Sequence, residues 1–138
     1  MSLPIRVKKG FTLIELLIAI AILGIIAAIT MAAINPVQKL NQANDAKVKA
    51  DIGSIATAAQ TYYAKNQVYP ATASVATDLA PSEMNVYPTA PTGYTYSYTN
   101  TAQAVAVSST LKAGASTNSL FCWRSATGQA VEATVCTP

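Results

Sequence analysis

The 138 residues are 51% hydrophobic and only 11% charged, against roughly a quarter charged in an ordinary soluble domain. The formal net charge of +3 rests on Arg6, Lys8 and Lys9, because from Phe11 onward six basic residues balance six acidic ones. Histidine is absent, which excludes imidazole acid–base chemistry and imidazole metal ligands. The dispersed cations form no basic stripe of the kind that holds nucleic acid.

Residues 1–10 (MSLPIRVKKG) are a short basic leader. Residues 11–34 are apolar on every side, as in a helix surrounded by lipid or by other helices. No charge occurs from Leu16 to Gln38, a stretch that as helix runs about 35 Å at ~1.5 Å per residue. A bilayer core is about 30 Å thick. An ordinary secretory signal cut near Thr30-Met31-Ala32 is the plainer alternative, but the run exceeds the usual apolar core of about 7–15 residues and contains Glu15. Asn35-Pro36 then interrupts the pattern, and Pro36 should kink the helix or remove a bond from its ladder.

From Val37 the chain turns amphipathic. Val37, Leu40, Val48, Ile52, Ile55, Ala59 and Tyr62 or Tyr63 recur at spacings near three and four, which predicts one face packed on a core. Lys47 and Lys49, beside Asp45 and Asp51, read as a solvated face or as contacts between subunits. The helix should end near Asn66, ahead of Tyr69-Pro70. Residues 12–65 are then expected to form a single helix about 80 Å long.

Residues 67–93, rich in proline, read as a long connection with one helical turn around Asp78–Met84. Beyond it the period falls to two. Tyr94, Tyr96 and Tyr98 alternate with Thr95, Ser97 and Thr99, and the stripe reads as a strand face against the helix or, alternatively, a ligand platform. Gln103–Leu111, Ser119–Arg124 and Gln129–Cys136 follow, the last two joined by Ala126-Thr127-Gly128. Four strands with short links predict an antiparallel meander. The expected class is α+β: a long N-terminal helix, half transmembrane and half amphipathic, packed on a four-stranded antiparallel sheet head.

The densest signal is Lys8-Lys9-Gly10-Phe11-Thr12-Leu13-Ile14-Glu15. Basic residues before a span hold that end in the cytoplasm. Gly10 offers backbone free of a side chain where a protease could grip. Glu15 places a carboxylate inside the apolar segment, where it calls for a partner.

These residues resemble the class III signal of the type IV pilin family, which includes the pseudopilins. The resemblance implies a pilin-like fold, cleavage by a prepilin peptidase between Gly10 and Phe11, and N-methylation of Phe11. It also implies that Glu15 meets the terminal amine on Phe11 of a neighbouring subunit. Tyr62-Tyr63-Ala64-Lys65-Asn66-Gln67-Val68-Tyr69-Pro70 is similar to the helix end of pilins and pseudopilins, with Gln67 where an Asn-Gly pair would place glycine. Phe121-Cys122-Trp123-Arg124-Ser125-Ala126-Thr127-Gly128 resembles the cysteine-containing hairpin of some bacterial pilins. Many major pilins carry a proline eight residues after the glycine at Gly24, where this chain has Ala32. Gly24 and Pro36 are therefore the expected weak points of the helix. The acidic calcium loop of the major secretion pseudopilins has no counterpart here, since Glu132 is the sole acid after residue 83; no metal or cofactor is expected.

Cys122 and Cys136 are either two buried thiols or a disulfide, and a head outside the membrane, with both residues on neighbouring strands, favours the bond. The domain plan is a leader at 1–10, a transmembrane or filament-core helix at 11–36, and a head at 37–138 (helix 37–66, connection 67–93, sheet 94–138). The resemblance implies a non-enzymatic pilus subunit, held in the inner membrane with its N-terminus in the cytoplasm and then polymerised into an extracellular filament. Expected partners are other copies, the peptidase, membrane lipid, and an assembly platform with its motor ATPase, since the chain has no phosphate loop of its own. The alternative is a minor pilin or pseudopilin of a competence or type II secretion-like machine with a ligand-binding head.

Overall fold

A computed structural model of the chain describes residues 10–113 and 119–138. The chain divides into two compact units between Pro36 and Val37. Helix α1 (Leu13–Ile34) belongs to the first, and none of its residues is buried. Helix α2 spans Pro36–Asn66.

The single helix expected over 12–65, with its ladder disturbed at Pro36, is two helices that part at Asn35. Asn35 takes the left-handed conformation, φ 45° and ψ 79°, which asparagine tolerates better than most residues. Pro36 follows at the first helical position, where its missing N–H would have had no partner in any case. At the far end of α2, Gln67 is also left-handed, φ 58°, and donates its N–H to the Tyr63 carbonyl at 2.8 Å. Glycine usually fills this cap, so Gln67 costs roughly 1–2 kcal/mol of local strain.

The sheet is a meander of β1 (Ser97–Asn100), β2 (Val105–Thr110), β3 (Leu120–Arg124) and β4 (Gln129–Ala133), ordered 1-2-3-4 and antiparallel throughout. Its inner face carries Tyr98, Val105, Val107 and Trp123, which pack with Val48, Ile52, Ile55 and Ala59 of α2 into one core. Strand β1 starts only at Ser97, so Tyr94 and Tyr96 precede it rather than belonging to a continuous strand face. Helix α3 (Val75–Leu79) lies earlier than the turn expected around Asp78–Met84. It stops short of Pro81 and buries Val75 and Leu79 in the same core.

Val37 and Leu40 depart from the expected packing. Both have the right period, yet they are 64% and 65% exposed. The buried side of α2 begins at Asp45 and Val48, because periodicity selects a face of a helix but not how far the opposing sheet extends along it.

The connection 67–93 is tied down along its length. Tyr69 stacks on Tyr63 with ring centroids 4.5 Å apart. Lys65 Nζ lies 2.9 Å from the Glu83 carboxylate, whose side chain is almost wholly enclosed. Lys47 Nζ donates to the Thr89 carbonyl at 3.2 Å.

Asp45 pins the other end. Its carboxylate accepts from the Tyr94 hydroxyl at 2.7 Å, from the Lys112 N–H at 3.0 Å and from the Ala113 N–H at 2.8 Å. The reading of Asp45 as part of a solvated face is thus corrected: it is buried, and it joins α2 to the segments before β1 and after β2. Asp51 is half-buried as well, taking bonds from the Tyr96 hydroxyl and from Lys47. Burial pushes the Asp45 carboxyl up, but the bonds from Tyr94, Ala113 and Lys112 and the charge of Lys49 outweigh it and hold the group below its ordinary value. Burial and the bond to Asp45 push the Tyr94 phenol up to about 12.

A lowered carboxyl value stabilises the fold above the unfolded value near 3.8, and that stability is lost as pH falls through the folded value. Unfolding of the full chain in detergent, followed by Trp123 fluorescence, should show a drop in stability below about pH 4. Asp45→Asn should cost about 1–3 kcal/mol near neutral pH and flatten that drop. An unchanged acid limb in this variant would refute the role given to Asp45.

Candidate functional site

The expected processing signal sits at the start of α1. Gly10, Phe11 and Thr12 precede the helix, and Thr12 is extended at φ −83° and ψ 151°. Phe11 is 83% exposed. The bond between Gly10 and Phe11 is therefore in non-helical backbone, the form a peptidase must thread through its site. Nothing lies within 4 Å of where a Cβ on Gly10 would stand, so the described chain imposes no steric need for glycine there. The basic residues of the expected leader, Arg6, Lys8 and Lys9, lie outside the described residues.

Thr12 and Glu15 close a reciprocal cap. The Glu15 N–H donates to Thr12 Oγ1 at 3.3 Å, while the Thr12 N–H and hydroxyl donate to Glu15 Oε2 at 3.0 and 2.8 Å. This arrangement satisfies donors that a helix start leaves unpaired and sets an acid at the positive end of the helix dipole. The expected partner of Glu15 was the terminal amine of a neighbouring subunit; within the chain the structure gives it Thr12 instead. The Thr-x-x-Glu spacing was the available signal.

Of the two expected weak points, Gly24 lies inside unbroken α1 with open space around it, and Pro36 opens α2 directly after the left-handed Asn35. Cys122 and Cys136 are bonded to each other, with Cα atoms 5.7 Å apart.

Among the described residues, α1 is the one helix long and apolar enough to cross a membrane. Its leucines and isoleucines are all exposed among the described residues, and water is a poor environment for them. A non-helical Gly-Phe step, a capping acid and an apolar helix with no buried residue follow one another in the chain.

The chain carries a prokaryotic N-terminal methylation motif. A family model described as the prokaryotic N-terminal methylation motif matches residues 5–31, which takes in Gly10, Phe11, Glu15 and most of α1. The chain is similar to the type II secretion system core protein G of Pseudomonas aeruginosa, 39% identical over 67 residues, or 49% of this chain and 46% of that protein. It is also similar to the fimbrial protein EcpC of Eikenella corrodens, 44% identical over 66 residues, or 48% of this chain and 42% of that protein. Each likeness thus covers less than half of the relative's length.

Removing one half of the cap should loosen the start of the motif helix. Thr12→Ala should cost about 1 kcal/mol of local stability. Hydrogen exchange of the Glu15 amide in micelles should speed up by roughly fivefold for that loss; unchanged protection would mean that the cap is not formed in a lipid-like environment.

Proposed function

We propose that this chain is a structural pilus subunit: cut after Gly10, methylated on Phe11, held in the inner membrane by α1 and polymerised through that helix into an extracellular filament. The observation that carries this reading is the juxtaposition of a non-helical, exposed Gly10–Phe11 step with an apolar helix that has no buried residue. Such a helix needs lipid before assembly and other copies of itself afterwards. The cations Arg6, Lys8 and Lys9 favour a cytoplasmic N-terminus.

Glu15 couples the two steps. Both of its bonds run through Oε2, and Oε1 has no partner among the described residues. Cleavage creates a positive amine on Phe11, and Oε1 is free to receive the amine of an adjacent copy while Oε2 keeps the helix capped. An uncut chain lacks this amine, so unprocessed subunits are excluded from the filament. The peptidase, the assembly platform and its motor ATPase are other proteins in this reading.

The likeness to a protein named for type II secretion favours a second reading, in which the same processed helix builds a short pseudopilus. Abundance separates the two. Intact-mass analysis of filaments sheared from the source cells should find a dominant chain beginning at N-methylated Phe11. The same mature chain confined to the membrane fraction would select the pseudopilus, and a chain beginning after Ala32 would overturn both.

Gly10→Leu should leave the precursor uncut, visible as the full-length mass in the membrane; normal trimming would remove the peptidase assignment. Glu15→Ala should still be cut at Gly10 but should yield at most about a tenth of the sheared filament, the scale expected for loss of a specific charged contact. Filaments at the normal level would exclude the pairing of Glu15 with Phe11.

A further inference from the structure

Strand β2 is buried on both faces. Val105 and Val107 point to the core shared with α2, whereas Ala106 and Ser108 point the other way and are nevertheless buried. The cross-strand pairs Ala106–Arg124 and Ser108–Cys122 place Arg124 and Cys122 on this outer face too, because residues directly opposite one another share a side of the sheet. Residues 134–138 are brought to this face by the Cys122–Cys136 bond. Apart from that bond they are held by Arg124 Nη2, which donates to the Val135 carbonyl at 2.7 Å, and by a weak contact of Cys136 Sγ with the Val107 carbonyl at 3.9 Å. None of residues 134–138 enters the core on the inner face, and Val135 is itself exposed.

The two sulfurs differ in access. Cys122 is 0% exposed, while Cys136 is half-buried. Thiol–disulfide exchange requires in-line approach of a thiolate to one sulfur, so access decides which sulfur is attacked.

We propose that Cys136 is the sulfur at which this staple is made and broken, by exchange with a disulfide or dithiol partner, and that the staple decides whether residues 134–138 cover the outer face of the sheet. In formation, the Cys136 thiolate attacks one sulfur of the partner's disulfide and bonds to it, the partner's S–S bond breaks, and the partner's other sulfur leaves as a thiolate and takes up a proton. The Cys122 thiolate then attacks Cys136 Sγ in the mixed disulfide and releases the partner as its dithiol. The chain is oxidised by two electrons and the partner is reduced by two. Opening is the reverse: a thiolate of the partner bonds to Cys136 Sγ, and Cys122 leaves as the thiolate. Loss of the bond frees the terminal segment and uncovers Ala106, Ser108 and Cys122, while α2 and the inner face stay packed.

The test uses the full chain in detergent micelles, with reduced glutathione as the thiol probe, acid trapping at early times and peptide mapping. The adduct should appear on Cys136 in at least about tenfold excess over Cys122. Equal labelling, an excess on Cys122, or no reaction under native conditions would each overturn the assignment. After full reduction and alkylation, tryptic cleavage following Arg124 should accelerate by roughly tenfold or more, while cleavage following Lys49 within α2 stays as slow as in the stapled chain. Acceleration at both sites would show that the staple holds the whole head, and acceleration at neither would show that the segment stays in place without it; either result overturns the covering role.

Discussion

The packing of α2 on the inner face of the meander is the interaction on which the head depends. Val48, Ile52, Ile55 and Ala59 form a stripe that the sheet covers with Val105, Val107, Trp123 and Tyr98. Once that layer is set, the remaining segments have places to attach. The connection 67–93 lies against the same core through Tyr69, Val75 and Leu79, and Lys65–Glu83 holds it from the C-terminal end of α2. Burial of apolar area supplies the drive, and the polar contacts decide which of several compact arrangements is adopted.

Asp45 shows how one polar residue can specify such an arrangement. A buried carboxylate is costly without partners, and here a phenol and two backbone N–H groups meet it from two different segments. Both segments must be placed correctly for the charge to be tolerated. Register and loop position are thereby coupled to the helix face, which apolar contacts alone would not achieve.

The first unit follows a different logic. Helix α1 satisfies its own backbone and caps its start through Thr12 and Glu15, and from Leu16 to Ile34 it presents apolar side chains on every side except at Thr30. Among the described residues nothing buries it, and an all-round apolar surface suits a lipid or helix-packed environment. The left-handed Asn35 ends α1 where this regime gives way to the amphipathic one.

Much of this protein was legible in the order of its residues, because the signals concerned are local. The charge-free run, the motif around Gly10, Phe11 and Glu15, the helix end at Asn66 and the turn at Ala126-Thr127-Gly128 each depend on neighbours within a few positions. The cap of Thr12 on Glu15 was equally local and was overlooked. What the tertiary structure alone decided involves residues far apart in the chain: the exposure of Val37 and Leu40, the burial of Asp45, the shortening of β1 to Ser97–Asn100, and the burial of Ala106 and Ser108 on the outer face of β2. Periodicity names the side of an element that seeks burial, but only the assembled sheet determines how far that side is covered and which polar groups are enclosed with it.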